Sequence, residues 1–245
     1  MSLSLLLAEA GPFPDSLIRF GIRRRLEGVL RRMPDREDVL RDMERAPIAL
    51  VPEAANRQHY EVPAAFFEIC LGRHLKYSCG WWDNPAQKDR DLVEEVDRSE
   101  EAMLELTCRR AKLEDGQRVL ELGCGWGSLS LWMARSYPKS AITSVSNSRL
   151  QVEYIRARAE QEGLSNLEVR LADMNGFAFT ERADRVVSVE MIEHMRNWRA
   201  LMERVATWLE PGGAASCTTL PIARACTFLE TGSRTGWAGI FFQAG

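Results

Sequence analysis

The sequence predicts an α/β protein: a doubly wound, mostly parallel sheet with helices on both faces and an N-terminal helical cap. Three observations predict it. Short aliphatic runs alternate with helix-period segments from about residue 116 to residue 213. A tight glycine cluster, GCGWG at 123–127, follows the first of those runs directly, as a strand-to-helix turn in such a sheet requires. The length of 245 residues and the hydrophobic content of 45% suit one large domain with a smaller helical attachment.

The elements follow in order. In LIRFGIRRRLEGVLRRM (17–33), Ile18, Ile22, Leu26, Val29 and Met33 recur near helical spacing, while Arg19, Arg23, Arg24, Arg31 and Arg32 lie largely off that stripe. Two readings fit this helix: peripheral contact with an anionic membrane through its basic face, or packing on the protein with the arginines in solvent. Pro34 ends it, and Asp35 can cap a second helix running to about Arg45. APIALVPEA (46–54), with Pro47 and Pro52, reads as a linker. From 55 the aromatic-rich, glycine-punctuated stretch ANRQHYEVPAAFFEICLGRHLKYSCGWWDNP reads as a lid, followed by a helix at about 88–111. Strands are expected at 118–122, 141–145, 167–171, 184–189 and 214–220, and helices at 127–136, 148–162 and 197–209. Gly163 stops the second of these helices and Pro211-Gly212-Gly213 the third. The organisation is then an N-terminal helical extension (1–54), a lid and helix (55–112) and a sheet domain (113–245).

Composition excludes several function classes. With 32 basic and 35 acidic residues the net charge is −3, which gives no general pull toward nucleic acid. No apolar run approaches the ~18 residues of a membrane span. The opening MSLSLLLAEA lacks the basic residue that precedes a signal-peptide core. Six cysteines form no CxxC pair, and with three histidines no metal cluster is expected. Scattered thiols suit a reducing cytoplasm.

The glycine loop then decides the ligand class. A nucleoside-phosphate loop would read GxxxxGK[ST], which is absent, and a dinucleotide loop GxGxxG with an acid some way downstream. Here the spacing is GxGxG, and an acid, Glu121, precedes the first glycine. A carboxylate there favours a cationic ligand over a pyrophosphate, and it can accept from the ammonium of an amino-acid moiety. The bland alternative is a strand-to-helix turn with no ligand.

At this point the residues resemble a known family. ELGCGWG is similar to the first motif of class I S-adenosylmethionine (SAM) methyltransferases. RQHYEV (57–62), KYSCGWW (76–82), VLELGCGWGSLSLWMA (119–134), SNSRLQ (146–151), LADM (171–174) and VSVEMIEHMRNW (187–198) resemble the coclaurine N-methyltransferase and cyclopropane fatty acid synthase group. The resemblance implies a Rossmann-like methyltransferase sheet, SAM as cofactor and S-adenosylhomocysteine as product. It implies that Glu121, Gly123, Cys124, Gly125 and Gly127 line the methionine and ribose part of the cofactor. Tyr77 and Ser78 would close over the methionine end, and Ser146, Asn147 and Gln151 would contact the ribose. Asp173 and Met174 would flank the adenine. No acid ends the second strand, so a neutral amide or hydroxyl must hold the ribose.

EMIEHMRNW resembles the N-methyltransferase side of the group, which implies transfer of a methyl group to a small-molecule amine. An alkylamine has a pKa near ~10, so a proton must leave before its nitrogen attacks. Glu193 and His194 follow the fourth strand and would take or relay that proton, with Glu190 orienting them or contacting the amine. The rival within the family is lipid C-methylation or cyclopropane formation, for which the resemblance implies a bicarbonate held by a cysteine, a glutamate and a later histidine. Cys124 and Glu193 match the first two, and Thr218 stands where the histidine is expected. A third reading is a SAM-binding protein of weak catalysis. After Gly213 the chain reads AASCTTLPIARACTF where the family carries an aliphatic strand, and relatives continue well beyond residue 245 with two further strands. The expectation is a shortened chain whose fifth strand leaves an open edge, with little for Trp237, Phe241 and Phe242 to pack on. Such a chain would bind SAM, turn over poorly and self-associate.

Overall fold

Alternating aliphatic and helical segments fold as their periodicity predicts. The computed structural model describes residues 14–31, 35–50, 63–82, 91–219 and 240–244, and the chain divides into two units, Met1–Met43 and Glu44–Gly245. The RQHYEV stretch and residues 83–90 and 220–239, with Pro221 and Trp237, lie outside the described residues.

In the first unit, helix α1 spans Asp15–Leu30. Helix α2 spans Arg36–Arg45, and the Asp35 carboxylate accepts from the backbone N–H of Glu37 at 2.8 Å, which is the cap the sequence predicts.

The second unit carries helices α3 (Ala64–Cys70) and α4 (Leu92–Arg110) ahead of the sheet. Strands β1 (Arg118–Leu122), β2 (Ala141–Ser146), β3 (Leu167–Leu171), β4 (Ala183–Val189) and β5 (Leu209–Thr219) alternate with helices α5 (Ser128–Ser136), α6 (Arg149–Gln161) and α7 (Trp198–Trp208). A sixth strand, β6, spans Ile240–Ala244. All neighbouring pairs are parallel, in the order β3-β2-β1-β4-β5-β6. The chain winds outward from β1 to β3, then crosses to β4 on the other side of β1. That reversal opens a crevice at the carboxyl ends of β1, β2 and β4, the usual ligand position in such sheets.

Two expectations need correction. The fifth strand does not end in an open edge: β6 pairs along Ala215–Thr219. IFFQA is a short apolar aromatic run of strand character, a signal legible in the sequence. The Pro-Gly-Gly stretch does not precede the strand but lies within β5, as a bulge between the pairs Ala183–Leu209 and Arg185–Ala214. Small residues suit this strand, since Ala215 and Cys217 are buried in the same cluster as Val186, Leu201 and Trp208.

Residues 46–50, read as a linker, are tied to the sheet domain. Asn197 caps α7 through Ala200 N–H at 2.9 Å, and its amide donates to the carbonyls of Glu44 at 3.0 Å and Ala46 at 2.9 Å. Asn175 exchanges two hydrogen bonds with the backbone of Ala49, at 3.0 and 2.9 Å. Ile48 and Ala49 are buried as a result. Apolar content inside a proline-flanked stretch was the available signal.

Asn197→Ala removes a cap and leaves two carbonyls unpaired. It is expected to lower the unfolding free energy by about 2–3 kcal/mol in urea titration, and Asn197→Asp, which keeps the cap but turns a carboxylate onto the same two carbonyls, should cost at least as much.

Candidate functional site

The site starts at the end of β1. Glu121 is buried, 3% exposed, and one carboxylate oxygen accepts from Ser144 Oγ on β2 at 2.7 Å and from Ser130 Oγ on α5. Burial pushes its carboxyl up, and the two hydroxyls pull it back. The chain then turns: the N–H groups of Gly123 and Cys124 both donate to Val145 O, at 2.9 and 3.1 Å, and Gly127 N–H donates to Cys124 O at 2.9 Å.

The glycines of the loop do different work. A Cβ on Gly127 (φ 83°) would lie 2.6 Å from Ile155, and one on Gly123 (φ 79°) would lie 2.5 Å from Met191, so these two glycines serve packing. A Cβ on Gly125 (φ 52°) would meet nothing within 4 Å, and Gly125 borders a cavity of about 440 Å³. Space is kept there that no part of the described protein fills.

That cavity lies at the crevice predicted from the strand order. Its walls include Glu121, Gly123, Cys124 and Gly125 from the loop, Ser146, Asn147 and Gln151 after β2, Asp173 and Met174 after β3, Glu190 and His194 after β4, and Tyr77 and Ser78 from the lid. Thirteen of the fifteen sequence-predicted positions thus line the cavity; of the other two, Gly127 packs on Ile155 and Glu193 does not line the wall. Glu193 lies in the turn Ile192–His194, and its Oε2 is buried with no hydrogen-bond partner among the described residues.

Beyond β2, Ser146 Oγ donates to Gln151 Oε1 at 2.8 Å. The Gln151 amide nitrogen, in a residue 2% exposed, has no hydrogen-bond partner among the described residues. Its two N–H donors are available to a hydroxyl of a bound molecule. After β3, Asn175 N–H donates to the Asp173 carboxylate at 3.0 Å, and Met174 is buried against the wall. After β4, Glu190 takes a left-handed conformation (φ 50°), which strains a non-glycine residue, and its N–H donates to Thr218 O at 2.7 Å. Thr218, which stands where the family resemblance places a histidine, thus meets the segment after β4 through its backbone. Burial pushes the Glu190 carboxyl up, the Lys76 ammonium pulls it down and Glu193 pushes it further up.

The lid is held in two ways that the sequence did not disclose. Trp126, the side chain inside GCGWG, is 2% exposed and packs on Phe67 of α3 and Tyr154 of α6, with ring centroids 5.0 and 5.5 Å apart. The segment after α3 lies along α4: Glu100 accepts from the N–H groups of Gly72 and His74 at 3.0 Å each, and Asp97 from that of Arg73 at 2.7 Å. A Cβ on Gly80 would lie 2.5 Å from Ser99 Oγ, so that crossing also needs glycine. Lys76, the first residue of KYSCGWW, is buried on the cavity wall and was not singled out.

The chain matches the family model described as mycolic acid cyclopropane synthetase over residues 51–239. It belongs to that family. It is 36% identical over 214 residues to (S)-coclaurine N-methyltransferase of Thalictrum flavum subsp. glaucum, covering 84% of this chain and 57% of that one. It is 39% identical over 157 residues to (S)-tetrahydroprotoberberine N-methyltransferase of Eschscholzia californica, covering 64% and 43%. Among solved structures, coclaurine N-methyltransferase bound to N-methylheliamine and S-adenosylhomocysteine superposes with a TM-score of 0.70 at 34% identity, over 82% of this chain and 58% of that one. The chain thus spans about half the length of the curated relatives it matches. The family resemblance stated from the motifs is shown.

Packing in the loop is testable apart from binding. Gly127→Ala is expected to cost about 2–4 kcal/mol, from overpacking against Ile155 plus left-handed strain, and less in an Ile155→Ala background, which lacks the Cγ1 that the new methyl would meet. Gly125→Ala should cost only the strain, about 1–2 kcal/mol, in the same urea titrations.

Proposed function

We propose that the protein is a SAM-dependent methyltransferase that moves a methyl group to the nitrogen of a small-molecule amine. The observation that carries this reading is the cavity at the sheet's reversal, with open space at Gly125 and the carboxylates of Glu121, Asp173 and Glu190 on its walls. That donor set fits SAM, which carries a sulfonium, an ammonium, two ribose hydroxyls and an adenine. Glu121 would accept from the ammonium, and the unpartnered Gln151 amide would donate to a ribose hydroxyl. Asp173 and Met174 would receive the adenine. The volume lies within the usual range for a cofactor pocket. The N-methyltransferases among the relatives, one of them crystallised with S-adenosylhomocysteine, support the same assignment.

When bound, SAM supplies an already activated methyl group, so the protein mainly aligns and handles a proton. Glu190 and His194 border the cavity, and Glu193 lies between them in the chain. A protonated amine entering here meets carboxylates that hold it and a histidine that takes its proton. Strain at Glu190 and the Thr218 hydrogen bond fix this turn before the acceptor arrives. The proposal extends to a reducing, cytoplasmic setting and to peripheral contact of the arginine-bearing α1 with anionic lipid.

Calorimetry on this chain is expected to show SAM binding in the low-micromolar range, about −8 kcal/mol, and a folded Gly125→Val variant should not bind. Unchanged affinity in that variant would remove the assignment. In a methyl-transfer screen on amines and unsaturated phospholipids, a methylated amine is the expected product; a cyclopropane would favour the lipid chemistry of the family's name. Glu190→Gln, Glu193→Gln and His194→Ala should each lower turnover ~10²-fold or more with SAM affinity nearly unchanged. The His194→Ala loss should shrink as pH rises toward the amine's own pKa, because solvent then removes the proton.

A further inference from the structure

Lys76 is the lone lysine or arginine among the described residues lining the cavity. It is 6% exposed, a rare situation for an ammonium, since withdrawing such a charge from water costs several kcal/mol. Among the described residues its bonded partner is the neutral hydroxyl of Ser78, two residues on in the lid. Burial pulls its pKa down, against the opposing influence of Cys79, Glu190 and Glu100. An ammonium with three donors, one of them spent on a hydroxyl, borders a cavity whose wall carboxylates are Glu121, Asp173 and Glu190.

Its position is built rather than incidental. The Glu100 carboxylate, itself 4% exposed, holds the backbone of Gly72 and His74 at 3.0 Å each and also accepts from the N–H of Lys76. A Cβ on Gly72 would lie 2.8 Å from Asp97 and Glu100, so the segment can approach α4 this closely only with glycine there. The backbone of 72–76 is therefore pinned to α4, and the Lys76 side chain reaches the wall from a fixed base.

We propose that Lys76 is the counter-ion for the carboxylate of the amino-acid end of the cofactor, with Ser78 as its hydrogen-bonding companion. The inference rests on the SAM reading above and deepens it. SAM has two cationic centres and one anionic one. Glu121 answers the ammonium, Asp173 the adenine and Glu190 the acceptor amine, and Lys76 is the one lysine or arginine on the described wall that can answer the anion. A ligand carboxylate also repays the desolvation of Lys76, which the Ser78 hydroxyl alone cannot do. Lys76 thereby selects ligands that carry the carboxylate and, with Glu121 on the ammonium, fixes the direction of the amino-acid end.

The test is calorimetric binding of SAM and of decarboxylated SAM, which lacks only the carboxylate, to the full chain. The wild-type protein is expected to prefer SAM by about 10- to 100-fold, the range of a buried charge-assisted hydrogen bond. Lys76→Met should lower SAM affinity by that factor and leave decarboxylated SAM unchanged or tighter, so that the preference collapses. Lys76→Arg should keep most of it. Equal wild-type affinity for the two ligands overturns the proposal whatever the variants do. So does a folded Lys76→Met protein that loses both ligands equally or retains the preference. Failure of the wild-type chain to bind either ligand overturns the cofactor reading, and the role of Lys76 with it.

Discussion

One buried carboxylate oxygen joins the three elements from which the rest of the site is hung. Glu121 sits on the central strand, at the point where the strand order reverses, and accepts from Ser144 on the next strand and Ser130 on the following helix. The glycine loop between strand and helix is thereby closed from below, while its backbone N–H groups are tied to Val145. An apolar side chain could fill the volume, but it would not draw two hydroxyls to one atom. The cost is a carboxyl pushed up by burial, which is tolerated where a cationic ligand supplies the missing charge.

The lid depends on the same scaffold through two contacts of different physics. Trp126 projects from the loop into an apolar contact with Phe67, so the position of α3 follows from the conformation of the loop. On the other side, Glu100 and Asp97 hold the extended segment after α3 by its backbone N–H groups. Backbone bonds of this kind fix a path without fixing a sequence, apart from the glycines where the chain crosses α4. The side chains of Lys76, Tyr77 and Ser78 are carried to the cavity by that path.

Electrostatically the site is lopsided. Three carboxylates and one lysine share its walls, and the turn Ile192–His194 adds Glu193, whose buried oxygen has no partner among the described residues. Glu190 stands between these influences, raised by burial and by Glu193 and lowered by Lys76. Lys76 and Glu190 thus act on each other across the cavity wall. The strained backbone of Glu190, anchored on Thr218, keeps that coupling in one geometry.

The sequence by itself determined the elements and most of the wall. Period and turn chemistry are local, so the first five strands, their helices, the Asp35 cap and the Gly163 stop were legible, and the motifs named the loops that must meet at the sheet's carboxyl end. What only the tertiary structure decided involves partners distant in the chain. Ile48 and Ala49 read as linker because nothing nearby shows that Asn175 and Asn197 bind their segment. The three glycines of the loop look equivalent in sequence, and only packing against Ile155 and Met191 separates two of them from Gly125. VEMIEHM puts Glu193 ahead of Glu190 as the base, and only the turn after β4 shows that Glu190, not Glu193, borders the cavity. Lys76 reads as an ordinary surface lysine until Glu100, far along the chain, pins its backbone and buries its ammonium. Burial and charge at a site are sums over neighbours brought together by the fold, and no local pattern contains those sums.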